Sequence, residues 1–418
     1  MSSSSPTSAL SHSPDSAPLW EGHPKGSRAY RRILAGLGFA GLATFAQLYS
    51  TQSALPTIAA DLGTTAAGAG LTVSAATLGL AAAVIPWSFI ADRTGRTRAM
   101  AIAIISATIL GFLVPLSGSL EVLLAFRFVE GMALGGIPAV AIAYLNEEVS
   151  RGHAAVAAGT YVAGTTLGGL TGRLIAGPAA DIWGWRAGTL AVTCVAGLAA
   201  IVFLLLLPRS RGFTPSGGAG FRASLLVLAS HLRTPGLVVI YAQAFLLMGG
   251  FVTVYNYLGF RLAGPAFGLS GTVVSLIFLA YLSGTVSSRW AAGLTLRHGR
   301  RRVLLCGSAL MAAGLVATLS TMLPVVLGGL VVFTAGFFAA HGVASGWAGA
   351  LPSRGRGQSA SLYNLAYYLG SSIVGWAGGL VFQWLGWSAL VVGTLFLTVL
   401  AALLMVLVRP QGSGSARH

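Results

Sequence analysis

The sequence predicts an all-α polytopic membrane protein of about twelve transmembrane helices in two six-helix repeats. Three observations predict it: few charged residues, apolar segments of membrane-spanning length, and arginines confined to alternate connections. Of 418 residues, 55% are hydrophobic and 8% charged. Soluble chains carry roughly a quarter charged residues. A chain this poor in ions cannot cover its surface with them, so water is not its main solvent. Glycine is abundant, at 57 residues, but follows no Gly-X-Y period, which excludes collagen.

Apolar segments near 33–55, 67–90, 99–118, 121–144, 154–177, 187–207, 236–258, 269–291, 303–321, 324–348, 358–381 and 384–408 are each long enough to cross as a helix. The net charge is +16, from 24 Arg and a single Lys. One set of connections holds Lys25, Arg28, Arg31, Arg32, Arg93, Arg96, Arg98, Arg151, Arg209, Arg211, Arg222, Arg233, Arg297, Arg300–Arg302, Arg354, Arg356, Arg409 and Arg417. The alternate set holds only Arg186 and Arg261. Positive charge stays in the cytoplasm. The bias therefore predicts a multi-pass protein of the bacterial cytoplasmic (inner) membrane with both termini cytoplasmic. It also accounts for the basic balance without nucleic acid. Cys194 and Cys306 both lie in apolar segments, which offers neither a disulfide framework nor a cysteine metal site.

Residues 1–32 read as a disordered cytoplasmic tail, with no apolar core of a signal peptide before residue 33. Residues 33–207 form an N-terminal six-helix bundle and 236–408 a C-terminal one, with a short tail at 409–418. The connection 208–235 contains "FRASLLVLASHLR", either an amphipathic surface helix or a plain linker. The halves echo each other. "LGG" at Leu167 and "GW" at Gly184 recur as "LGS" at Leu369 and "GW" at Gly386, and "DRTGRTRA" at 92–99 recurs as "LRHGRRRV" at 296–303. An even number of spans per half makes this a parallel repeat.

These features resemble the major facilitator superfamily, over residues 33 to 408. The loop after span two matches the family's G-x-L-A-D-R-x-G-R-[RK] at Ala91, Asp92, Arg93, Gly95 and Arg96, with Ser88 and Ile90 departing from it. "RFVEG" matches R-x-x-Q-G at Arg127 and Gly131, with Glu130 for Gln. "GTTLGG", Gly164 to Gly169 with Gly168 between, is similar to the fifth-span motif of drug–proton antiporters but lacks its Pro. The resemblance implies alternating access, a midplane site and no enzyme activity. It also implies a conformational role for Asp92, Arg93, Gly95, Arg96, Gly164, Gly168 and Gly169, with Asp92 pairing with nearby arginines and a helix N-terminus of the other half to latch the inner side closed.

Of the nine acids, only Glu130 lies well inside a span, and the second half has none after Asp181. Glu130 is therefore the first candidate for carrying a coupling proton. Arg127 shares its helical face three residues away, so the two are either a structural ion pair or a protonation switch. Arg173 lies near the outer end of span five, about a third of the way into the membrane, as Arg127 does. It either attracts an anionic substrate with Arg127 or snorkels to the headgroups. His341, the one span histidine, is the second proton candidate, or a packing residue. Polar groups need partners where water is absent, so Gln47, Tyr49, Gln52, Tyr241, Gln243, Asn256, Tyr363, Asn364 and Tyr367 are candidate substrate contacts. Tyr257 reads as part of an interfacial aromatic belt. No nucleotide-binding loop, metal site or cofactor site stands out.

The expected function is secondary active transport: proton-driven export by antiport of a small amphipathic or anionic organic compound or drug. The alternative is proton-coupled uptake of an organic anion by symport. A non-transporting receptor or scaffold would tolerate loss of Glu130, Arg127 and His341. The expected partners are a small-molecule substrate, protons and the lipid bilayer, with the protein acting as a monomer.

Overall fold

A computed structural model describes residues 20–213 and 221–408. The expected tails at 1–19 and 409–418, and residues 214–220 of the connection, lie outside the described residues. The described residues make twelve crossings. Span 1 combines α1 (Arg28–Leu48), a 3₁₀ turn (Gln52–Ala54) and α2 (Leu55–Asp61). Spans 2 and 3 are α3 (Ala66–Thr94) and α4 (Arg96–Leu113). Span 4 combines α5 (Leu120–Leu134) and α6 (Gly136–Glu148), and spans 5 and 6 are α7 (Ala154–Trp183) and α8 (Trp185–Leu206). The short α9 (Phe221–Leu232) precedes span 7, α10 (Pro235–Ala263). Span 8 joins α11 (Gly271–Ser275), a 3₁₀ stretch (Leu276–Ala280) and α12 (Tyr281–His298). Spans 9 and 10 are α13 (Arg300–Ala317) and α14 (Leu323–Ala350). The last element, α15 (Arg356–Leu407), holds spans 11 and 12, divided at Gly386, where the backbone leaves helical geometry.

Nine stretches among the described residues are long and apolar enough to cross a membrane, the divided α15 counting as one. α7 and α13 complete the set; α13 opens on three arginines that dilute its apolar window. Arg28 and Leu407 lie on the same face, called the terminal face here; Asp61 and Gly386 lie on the distal face.

The echoes in the sequence become matched turns. Gly95 and Gly299 (φ 93° and 79°) end spans 2 and 8, and Gly184 and Gly386 (φ 85° and 76°) end spans 5 and 11. With extended ψ, these angles fall in a region that essentially only glycine adopts. Each turn folds one helix back into the next without a loop.

Residues expected in the tail are structured. The first helix begins at Arg28, five residues early, with Ser27 capping it by accepting from the Tyr30 amide. Arg32, placed in the tail by its charge, donates to the Leu205 and Leu206 carbonyls (2.9 and 3.1 Å) at the end of α8. Glu148 and Ser150 pair their backbones with His23, and the Trp20 indole donates to the Glu147 carbonyl (2.9 Å). Buried Glu148 receives Ser210 Oγ and the Arg211 and Gly212 amides on one oxygen, which fixes the start of the connection to span 4.

Spans 1 and 5 approach closely along a glycine seam. A Cβ at Gly164, Gly168 or Gly172 would lie 2.3, 2.3 or 2.5 Å from the carbonyl oxygens of Gly38, Leu42 and Ala46. Gly164 and Gly168 therefore allow backbone contact inside the membrane, and α7 runs unbroken through them. Gly168→Val is expected to lose roughly 1–3 kcal/mol of stability by overpacking. Gly159→Val, whose position opens onto free space, should keep the parent melting temperature in detergent.

Candidate functional site

The site forms where span 1 breaks. α1 stops at Leu48, Tyr49–Thr51 turn, and the chain resumes at Gln52 as 3₁₀ helix. A break inside hydrocarbon strands carbonyls that lack helical donors, at several kcal/mol each unless another donor arrives. Turn amides serve the Gln47, Tyr49 and Thr51 carbonyls, and for Leu48 the donor is Arg127. Its Nη2 donates to the Leu48 carbonyl (2.6 Å), its Nη1 to the Gln47 carbonyl (3.1 Å) and Ser50 Oγ (3.4 Å), and its Nε to the Thr72 carbonyl (3.2 Å). Glu130 balances the charge at 2.6 Å. The Gln47 amide, turned so that its nitrogen faces acceptors, donates to Glu130 Oε1 (3.2 Å) and the Ala107 carbonyl (3.0 Å). Arg127 is 0% and Glu130 1% exposed. Arg127 has thus spent its donors on the protein, and the expectation that it meets substrate does not fit this geometry.

The other flank of the break holds the second arginine. Arg173, 2% exposed, donates through Nε to Gln52 Oε1 (2.6 Å) and through Nη1 to the Gly169 carbonyl (2.8 Å). A Cβ at Gly169 would come within 3.0 Å of Nη1, so glycine there leaves room for the guanidinium to fold back. Tyr49, Phe278 and Tyr281 surround it, ring centres 4.1, 4.9 and 4.8 Å from the guanidinium carbon. Aromatic faces attract a cation, but they do not neutralise it. The ion pairs among the described residues are Arg96–Asp92, Arg96–Glu147, Arg127–Glu130 and Arg186–Asp61; none includes Arg173. Snorkelling is ruled out by its burial.

Gln52 continues the network across the protein, its Nε2 donating to Asn256 Oδ1 on span 7 (2.6 Å). Asn256 Nδ2, also buried, has no partner among the described residues. His341 sits farther along the same side. Its ring stacks on Phe337 (5.5 Å, 5°) and lies 4.9 Å from Tyr367. Tyr363 Oη contacts both His341 Nδ1 (2.8 Å) and the His341 carbonyl (3.2 Å). Both bonds form when Nδ1–H donates to the phenol oxygen and the phenol donates to the carbonyl, which leaves Nε2 as an acceptor. Tyr281, Phe251, Phe337 and Phe338 link His341 to the Arg173 cluster ring by ring.

Other candidates serve packing. Tyr241 bonds Ser359 Oγ (2.7 Å), and Gln243 donates to the Ala401 carbonyl (2.8 Å). Tyr257, expected at the membrane interface, is fully buried and donates to the Gly375 carbonyl (2.9 Å). Asn364 stays exposed, one turn toward the terminal face from Tyr368, which packs among span 1 and 2 residues.

Asp92 does not reach the other half. It pairs with Arg96 (2.5 Å), which also holds Glu147 (2.9 Å), all within spans 2 to 4. No group of the other half is hydrogen-bonded to the terminal-face ends of spans 2 to 4 among the described residues. Among the described residues, every hydrogen bond between the two sets of spans lies at mid-depth or on the distal face. These are Gln52–Asn256, Ser372 with Thr77 and the Ser74 carbonyl, and Asp181 with Gly271 and Thr272. The molecule is closed distally, and the terminal-face loops are not latched together.

Sequence reasoning passed over Phe278, Tyr281, Glu147 and Arg289. Phe278 and Tyr281, three residues apart on span 8, were detectable as one aromatic face. Arg289 lies within α12 and is exposed.

The comparisons agree with this architecture. The profile of the Major Facilitator Superfamily matches residues 37–296 and 261–417, and the chain belongs to that family. It is 39% identical over 384 residues to the inner membrane transport protein YnfM of Escherichia coli, covering 91% of each chain. It is 33% identical to the uncharacterized MFS-type transporter YybF of Bacillus subtilis, over 91% of this chain and 93% of that one. Among solved structures it is similar to the xylose transporter XylE from E. coli in an inward open conformation, with TM-score 0.73, 16% identity and coverage of 93% and 98%. It is equally similar to a bacterial homologue of the lysosomal transporter Spinster, with TM-score 0.74, 16% identity and coverage of 91% and 97%. The protein is a multi-pass membrane transporter of the secondary, major facilitator type and not an enzyme.

The two arginines should separate on stability. Removing one partner of a buried ion pair costs roughly 3–5 kcal/mol. Arg127→Ala should reach that range in thermal unfolding of purified protein, while Arg173→Gln should lose less than half as much. Equal losses would contradict this division of roles.

Proposed function

We propose that the protein carries a small organic anion together with a proton across the bacterial cytoplasmic membrane, by alternating access, with both termini in the cytoplasm. The observation that carries this reading is Arg173: a buried guanidinium with aromatic neighbours, polar contacts and no carboxylate among the described residues. An uncompensated cation inside a membrane is costly, and an anionic substrate group relieves that cost. The rings around it suit an anion with a planar or apolar body. The described name of YnfM as an inner membrane protein supports the location.

Proton coupling rests on Glu130. Among the described residues its partners are Arg127 and the Gln47 amide, and Arg127 is the one charged group that pairs with it. The signs then decide the form of coupling. Protonating Glu130 removes a negative charge near the break and leaves Arg127 positive. An anion is consequently held more tightly when Glu130 is protonated, and by linkage the anion promotes protonation. Proton and anion bind together, which favours symport over the drug antiport that the family resemblance implied. His341 has no charged partner among the described residues and serves better as a ring and acceptor for the substrate body.

Liposomes containing the purified protein test this with radiolabelled benzoate and a panel of small mono- and dicarboxylates. Uptake should rise at least several-fold when the outside is made acid, and fall at least tenfold in Arg173→Gln. Glu130→Gln should keep carboxylate exchange and lose the response to the pH gradient. Unchanged uptake in Arg173→Gln would refute the anion assignment.

A further inference from the structure

Among the described residues, Gln52 is the only side chain hydrogen-bonded both to Arg173 and to a residue of the other half. Its Oε1 accepts from Arg173 Nε at 2.6 Å, while its Nε2 donates to Asn256 Oδ1 at 2.6 Å. An amide oxygen on the edge of a guanidinium occupies a position that a carboxylate oxygen would take, and a carboxylate holds that edge more strongly because it is charged and bidentate. The amide is thus placed as a weak internal stand-in for the substrate's charged group.

We infer that Gln52 is a displaceable latch: a substrate carboxylate replaces it on Arg173, and the released amide gives up Asn256, loosening the distal closure. This rests on the anion reading above and adds how occupancy reaches the other half. Three observations support it. The Gln52–Asn256 bond is one of the few polar links between the halves, and those links lie at mid-depth or on the distal side. Asn256 is 1% exposed and its Nδ2 has no partner among the described residues, so the latched state leaves a buried donor ready to re-pair. Gln52 opens the 3₁₀ turn after the helix break, and that turn packs against α10 and α11. A side chain on a short irregular turn can move without dragging a whole helix. Tyr49 caps the same guanidinium from three residues away, so both groups that must shift lie on one short segment.

The test uses full-length protein in detergent with Cys194 and Cys306 changed to Ala. Ser53→Cys serves as reporter, because Ser53 is buried beside Gln52 and its hydroxyl has no partner among the described residues. Reaction of this thiol with a maleimide reads distal opening. Labelling of the parent should be slow and should rise several-fold with benzoate. Gln52→Ala should label several-fold faster without benzoate and gain nothing from it. Asn256→Ala should label as fast as Gln52→Ala. Gln52→Glu places a tethered carboxylate on Arg173; it should keep the parent melting temperature or exceed it, and lose benzoate binding. Labelling of Gln52→Ala and Asn256→Ala at the parent rate would overturn the latch. Fast labelling in both, with benzoate binding that survives Arg173→Gln, would retain the link between the halves and overturn the anion reading together with displacement by substrate.

Discussion

One guanidinium determines where the site can form. Span 1 breaks at mid-membrane with turn amides serving the Gln47, Tyr49 and Thr51 carbonyls, and Arg127 supplies the Leu48 carbonyl, adds a second donor to Gln47 and ties the break to span 2 through Thr72. Glu130 makes that cation tolerable in turn, because a buried charge without a partner would cost more than the break itself. The ion pair is therefore the condition for the bend, and the bend is the condition for everything around it. It turns Tyr49 and Gln52 toward span 5, where Arg173 waits, while Gln47, Leu48 and Ser50 face spans 3 and 4.

The second requirement is proximity. Arg173 reaches Gln52 only because spans 1 and 5 touch backbone to backbone along Gly164, Gly168 and Gly172. Gly169, on the adjacent face, leaves space for the guanidinium itself. The glycine-rich run thus sets the distance between a cation and its neighbours. The two arginines then differ in chemistry although their burial is almost the same. One is fully engaged by the protein, and the other keeps a charge that the protein does not neutralise.

Much of this was legible in the sequence. Composition and the arginine alternation gave the class and the crossings, and the echoes at Gly95 and Gly184 marked turns that recur at Gly299 and Gly386. Arg127, Glu130, Arg173, Gln52 and Asn256 were all selected, since a polar group in an apolar span needs a reason to be there. What could not be read was their division of labour. Nothing in the local sequence announces the break after Leu48, for it contains neither Pro nor Gly and is held open by a residue eighty positions away. The partner of Asp92 depends on the conformational state, and one sequence serves every state. Charge also misled at the start of the chain: Arg31 and Arg32 look like tail residues, yet Arg32 caps a helix of span 6.

The two halves share turns but not chemistry. Every described acid lies in the first half, as do both buried arginines, whereas the second half supplies His341, Tyr363, Tyr367 and the phenylalanine wall. A duplicated scaffold has thus been partitioned into a charge-handling copy and a shape-reading copy. The consequence is modular. Sequence drift in the second half can retune which molecular body is accepted while the ionic machinery stays intact. Drift in the first half alters how transport is driven before it alters what is carried.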